Sequence, residues 1–203
     1  MNTYTLRKWM IGVWLLVLFS AIGILFWYNS WVYLIPTPIP QNYKPVPVGS
    51  VLSIQGLTPE HKPTLLHFYN PDCPCSRFNL THFRSLVKAY QSQVNFVVVV
   101  MSSKNYSIAA IQERIGLTLP VLFEKSVAEQ CGVYSTPQAV LLTSEQQLFY
   151  RGNYNRSRYC TDEQTSYAKM ALAKLVNHRV AGDFDALALK AYGCVLPVCQ
   201  MPQ

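Results

Sequence analysis

Charge is scarce in this chain. Asp, Glu, Lys and Arg make up 13% of its 203 residues, with 10 acidic residues against 17 basic ones. The formal net charge of +7 is not gathered into a basic cluster, and basic residues do not interleave with aromatic ones. That spacing argues against a nucleic-acid partner; diffuse positive charge serves solubility and suits an anionic membrane surface. Arg151, Arg156 and Arg158 form a small patch that reads as a solvated loop. No glycine-rich phosphate loop, no His-Glu-x-x-His and no internal repeat occurs. Backbone cradling of a nucleotide phosphate, zinc-peptidase chemistry and a repeat solenoid are thereby excluded.

What stands out first is a long apolar run. Residues Trp9 to Tyr28 carry no charge, and as a helix they reach about 30 Å, enough to cross a bilayer. Arg7 and Lys8 precede the run and no comparable pair follows it. The positive-inside rule then puts the N-terminus in the cytoplasm and the bulk of the chain outside it. Trp27, Tyr28, Trp31 and Tyr33 read as an interfacial aromatic belt. A cleaved signal peptide is the alternative; the long core, the aromatic exit and the lack of a small-x-small cleavage site favour an uncleaved anchor. Residues 29–50 hold Pro36, Pro38, Pro40, Pro45 and Pro47, so a stiff, extended stalk is expected there. The six cysteines, at 73, 75, 131, 160, 194 and 199, suit an exported domain in which disulfides persist. Their pairing stays open.

Beyond the stalk, hydrophobic periodicity predicts a mixed α/β chain. Val51–Leu57 reads as a short first strand and Thr64–Tyr69 as a secure one. A helix follows from about Cys75 to Ser92. Val94–Met101 contains an unbroken valine run, the mark of a central strand buried on both faces. Ser103 or Asn105 is positioned to cap a helix that ends at Gly116. Leu119–Phe123 reads as a peripheral strand and 126–130 as a brief helix. Gln138–Thr143 and Gln147–Arg151 form a hairpin. Thr161 or Asp162 starts a long helix to about Val180, with Ala168, Ala171, Leu172, Leu175 and Val176 on its apolar face.

The chain is organised around Thr64-Leu-Leu-His-Phe-Tyr-Asn-Pro-Asp-Cys-Pro-Cys-Ser-Arg77. An apolar strand ends, Pro71 breaks the backbone, and Cys73 and Cys75 follow at the start of a helix. Unpaired N–H groups and the positive dipole end sit there. A thiolate in that place is stabilised, so its pKa falls and it becomes a usable nucleophile.

Two separated motifs resemble the thioredoxin superfamily, in particular its membrane-anchored periplasmic thioredoxin-like and redoxin-like members. They are His67-Phe-Tyr-Asn-Pro-Asp-Cys73 and Gly132-Val-Tyr-Ser-Thr-Pro137. The resemblance spans roughly residues 50–180. It implies a thioredoxin-like α/β fold, a central mixed sheet flanked by helices, preceded here by one transmembrane helix. The division it suggests is a cytoplasmic tail 1–8, an anchor 9–28, a proline-rich linker 29–50, a thioredoxin-like domain 51–191 and a cysteine-containing tail 192–203. In this comparison Cys73 falls on the family's nucleophile, Pro137 on its cis-proline, and Thr136 on the residue whose backbone binds substrate peptide. The family's second cysteine falls on Ser76, with Cys75 beside it, and its buried acid falls on His67. The usual dithiol register is therefore absent.

Three chemistries follow for Cys73. In disulfide exchange on protein or small-molecule thiols, Cys75 or Cys131 resolves the mixed disulfide and His67 manages a proton. Cys194 is a further resolver, arriving from the tail; alternatively Cys160, Cys194 and Cys199 supply a structural disulfide that pins the tail. Peroxide reduction fits poorly, since Asn70 stands where that branch needs Thr or Ser. A Cu(I) site on Cys73, Cys75 and His67 is the metal alternative, though the superfamily's copper-handling branch spaces its cysteines more widely. A redox-inactive binding fold is the third class. The expected reading is a thiol–disulfide oxidoreductase of a bacterial inner membrane, single-pass, with its domain in the periplasm. It needs no cofactor, and the resemblance allows a membrane redox partner.

Overall fold

Alternating apolar runs and polar breaks produce a layered domain. The structure, a computed structural model, describes residues 3–29, 31, 35–57, 61–157, 159–180, 182 and 184–196. The chain divides into two compact units, Met1–Ile35 and Pro36–Gln203. The first unit is dominated by α1 (Thr3–Asn29), a helix with no buried residue that is long and apolar enough to cross a membrane. Trp27 stacks on Trp31 near its end. Tyr33 of the expected aromatic belt lies outside the described residues.

In chain order the second unit begins with β1 (Thr64–Tyr69), α2 (Pro74–Tyr90), β2 (Asn95–Val100) and α3 (Ile108–Ile115). Then come β3 (Val121–Leu122), α4 (Ser126–Cys131), β4 (Ser135–Thr136), β5 (Gln138–Leu142) and β6 (Leu148–Gly152). It closes with α5 (Tyr167–Val176), α6 (Ala186–Leu189) and β7 (Cys194–Val195). Five strands form one sheet in the order β3-β2-β1-β5-β6, and β4 pairs with β7 in a separate two-stranded ribbon. β1, β2 and β3 run parallel, while β5 and β6 run antiparallel to their neighbours. A parallel neighbour needs a crossover, and α2 supplies it between β1 and β2.

Side chains alternate across a strand, so each central strand feeds two cores. Leu65 and Tyr69 of β1, with Phe96, Val98 and Val100 of β2, pack under α2, α3 and α5. Leu66 and Phe68, with Val97 and Val99, pack on the other face with α4, Leu52, Ile54 and Leu196. Burial on both faces is why β1 and β2 read as apolar runs and not as alternating strands.

Several element limits differ from the sequence expectation, for local reasons. Val51–Leu57 forms no strand: Val51 makes one isolated bridge to Gln147, while Leu52 and Ile54 are buried. α3 is capped by Ser107, whose hydroxyl accepts the Ala110 N–H, and not by Ser103 or Asn105. α5 starts five residues or so later than Asp162 because Asn155, Asp162 and Thr165 bond one another in a turn. It stops at Val176, after which His178 takes a left-handed φ of 52°. The proline-rich stretch is corrected most. From Pro36 onward it belongs to the domain unit and does not form a free stalk. Thr37 N–H bonds Ala191 O, Gly49 N–H bonds Leu148 O, and the Tyr43 hydroxyl bonds Gly132 O. Prolines leave the flanking N–H and C=O groups extended and unpaired within the segment, so the domain satisfies them.

Candidate active site

The turn Asn70-Pro71-Asp72-Cys73 is built by local hydrogen bonds. Cys73 N–H donates to Asn70 O at 3.0 Å, and Asp72 N–H donates to Asn70 Oδ1 at 2.9 Å. Asn70 N–H in turn donates to the buried Ser76 hydroxyl. Ser76, which falls on the family's second cysteine, thus ties the turn to the first turn of α2. Cys73 is the N-cap of α2, with extended φ and ψ of −91° and 123° and no capping bond from its side chain; Pro74 follows at the first helical position. Proline is favoured there because its missing N–H has no helical partner to lose.

Asp72 anchors the turn from outside. Its carboxylate accepts from Ser102 Oγ and Lys104 Nζ, both at 2.8 Å, and from the Tyr106 hydroxyl at 2.9 Å. The Lys104 and Ser102 bonds hold its pKa down at about 2. Sequence inspection missed this cluster, because its residues are some thirty positions apart and meet only through the β1–β2 pairing.

Cys73 is bonded to Cys194, with Cα atoms 6.2 Å apart and 121 positions between them in sequence. Among the described cysteines, the tail-to-turn bond is therefore the one formed. Cys75 keeps its thiol. The sulfurs of Cys73, Cys75 and Cys194 lie within 4.8 Å of one another. The peptide bond Thr136-Pro137 is cis. Cys73 Sγ lies 3.8 Å from Thr136 O; a disulfide sulfur has no proton to donate, so this is packing. Cys73 is 2% exposed, so in this oxidised form the sulfur expected to act as a nucleophile is closed to solvent.

Other expected site residues fall elsewhere. Cys131 is buried at the end of α4, in the core with Val127 and Ala128 and outside the sulfur group. Burial pushes its thiol up to about 12, which leaves almost no thiolate at neutral pH. Cys160 donates to Asn79 Oδ1 at 3.0 Å and is likewise pushed up to about 12 by burial. It does not bond to Cys194. Cys199 lies outside the described residues. His67 sits in the middle of β1, fully buried, stacked on Phe83 at 4.1 Å, with Nδ1 2.7 Å from the Tyr154 hydroxyl. Desolvation pulls its pKa down to about 3, so the ring is neutral. Its Nε2 lacks a partner among the described residues, and it is not in the sulfur group. Alternation along β1 aims it into the apolar layer under α2.

A mixed sheet with a cysteine at the N-terminus of the first crossover helix, facing a cis-proline loop, defines a thioredoxin-like fold, here with a disulfide at the start of that helix. More narrowly, the chain belongs to the family described as "Domain of unknown function (DUF6436)", which matches residues 49–200. No curated protein matches it. A hypothetical protein of Sinorhizobium meliloti has a similar structure: TM-score 0.61, 17% identity, 76% of this chain and 96% of that one covered. An uncharacterized conserved protein of Geobacillus kaustophilus gives 0.62 and 18%, covering 83% and 100%. A thioredoxin-like protein solved in its oxidised form gives 0.48 and 17%, covering 71% and 97%.

Proposed function

We propose that this protein is a thiol–disulfide oxidoreductase held to the bacterial inner membrane by α1, with its domain in the periplasm, exchanging disulfides with cysteines of other proteins. One observation carries the reading: the bond between Cys73 and Cys194 at the start of α2, against Thr136-Pro137. Reduced, Cys73 meets the helix N-terminus, where its thiolate is stabilised and able to attack a substrate disulfide. Cys194 closes the cycle by attacking the Cys73 sulfur of the mixed disulfide, which frees the substrate thiol and leaves Cys73–Cys194. Cys75 is a second thiol within reach. His67 takes no proton in this scheme, because burial holds it neutral down to about pH 3. Arg7 and Lys8 ahead of the apolar run support the orientation.

Insulin reduction and trapping of mixed disulfides test the assignment. Cys73→Ser should abolish both, and Cys194→Ser should accumulate the trapped species. Full activity in Cys73→Ser would sink the assignment.

A second reading rests on the sulfur group itself. The Cys73, Cys75 and Cys194 sulfurs lie within 4.8 Å of one another in the oxidised form, and reduction would turn them into three soft ligands, a donor set that suits Cu(I). Oxidation consumes two of the three, so copper and the disulfide exclude each other. Copper content after anaerobic purification separates the readings: stoichiometric metal lost in a Cys73/Cys75 double variant favours the copper site.

A further inference from the structure

The tail does more than bring a cysteine to Cys73. β7 pairs antiparallel with β4, placing Cys194 opposite Thr136 and Val195 opposite Ser135. Leu196 N–H reaches Tyr134 O at 3.4 Å. On its other edge the tail is held by the segment after α1: Tyr192 bridges Pro36, Thr37 N–H donates to Ala191 O at 2.9 Å, and Thr37 Oγ1 donates to Gly193 O at 3.3 Å. These bonds all go to the tail backbone, so any extended peptide can make them.

Side chains are most demanding at three places. Cys194 holds the sulfur bond. Gly193 takes a φ of +133°, and a Cβ there would drive into the Thr136 carbonyl. Leu196 is 2% exposed and joins the core cluster on the α4 face. Tyr192 and Val195 are half-buried, and Ala191 at the start of the segment is small enough to be fully buried. A backbone clamp, one excluded Cβ, one sulfur and one apolar pocket together describe a peptide-binding site with its occupant in place.

We propose that residues 191–196 are an internal copy of the substrate. The external substrate is then an extended cysteine-bearing polypeptide segment with glycine just before the cysteine and a branched aliphatic residue two positions after it. This rests on the exchange chemistry proposed above. A substrate thiolate attacks Cys73 Sγ; a bond forms between those two sulfurs, the Cys73–Cys194 bond breaks, and Cys194 leaves as a thiolate that takes up a proton. The tail leaves, and the substrate strand pairs with Ser135-Thr136 in its place. A second substrate thiolate then attacks the first substrate sulfur and expels Cys73. The substrate dithiol has become a disulfide and the Cys73–Cys194 disulfide a dithiol; the reverse sequence reduces a substrate disulfide.

The test uses the full chain in detergent, reduced, with Cys194→Ser. The probe is a peptide copying residues 191–197, its cysteine carried as a mixed disulfide with 5-thio-2-nitrobenzoate. Attack by Cys73 releases that coloured thiolate and leaves the peptide on Cys73, located by mass spectrometry. The matching peptide should react at least about tenfold faster than one with valine for its glycine, or serine for its leucine, the scale of one misfit group in a shaped pocket. In the otherwise native chain, Gly193→Val should dislodge the tail, lower the fraction of Cys73–Cys194 disulfide and speed capture of the matching peptide. Equal rates for all three peptides, while the symmetrical disulfide of the same small thiol still labels Cys73, overturn the substrate assignment and leave disulfide exchange standing. Failure of that small reagent to label Cys73 overturns both.

Discussion

His67 shows how one position in a familiar place changes role. Where the family resemblance expects a buried acid, this chain has a ring stacked on Phe83 and bonded to Tyr154. Its pKa is lowered to about 3 by burial. Between that value and the ordinary 6.5, the unfolded chain binds a proton that the folded chain refuses. Stability therefore falls as pH drops through this window, by up to about 1.4 kcal/mol per pH unit for one group. His82, lowered by burial too, adds with the same sign. Asp72 acts lower: its stabilising contribution is present above about 3.8 and is lost as pH falls toward about 2. Urea midpoints at pH 7 and pH 5 should thus differ, and His67→Phe should shrink the difference. Unchanged pH dependence in that variant would contradict a neutral buried ring. Tyr154→Phe, leaving both ring nitrogens without a protein partner, should cost about 1–3 kcal/mol in the same titration.

At the scale of elements, the informative parts are short. β4 and β7 have two residues each, too few to hold a ribbon by ladder bonds alone. Thr37 contributes the missing support: its hydroxyl lies 3.0 Å from Ser135 Oγ and 3.3 Å from Gly193 O. Thr37→Val keeps the volume and removes both bonds. It should weaken tail docking by about 1 kcal/mol per bond, read as faster alkylation of Cys194 in the reduced chain. α3 is held by its ends, Ser107 at the N-cap and Gly116 at a φ of 71°. Ser107→Ala should cost about 0.5–2 kcal/mol by thermal or chemical melting, without slowing exchange at Cys73.

For the whole molecule, the Cys73–Cys194 bond closes the chain from α2 to β7 into one loop, across 121 positions. Chain-entropy reasoning puts the stabilisation from so long a loop at up to about 5 kcal/mol. The oxidised chain should therefore melt well above the reduced one, and Cys194→Ser should abolish that gap by calorimetry. A gap that survives Cys194→Ser would show that another bond governs stability. The domain unit starts at Pro36, directly after the apolar helix unit, and its first residues also clamp the tail. Removing residues 1–35 should release the protein from the membrane fraction while retaining the Cys73–Cys194 bond.

Local pattern sufficed for much of this. The valine run of β2, the apolar spacing of α2 and the 20-residue uncharged stretch are short-range signals, and they specify strand, helix and membrane-length helix because each element's own periodicity must match its burial. The Cys73 turn and the Thr136-Pro137 loop were likewise legible, since proline and cysteine constrain the backbone and the chemistry where they stand. Which sulfur meets Cys73 was decided only by the tertiary structure. Cys75, Cys131 and Cys194 are equivalent on paper; burial removes Cys131, and tail pairing through Thr37, Gly193 and Leu196 brings in Cys194. Those contacts join positions more than ninety residues apart, and no local periodicity records a long-range meeting of backbones.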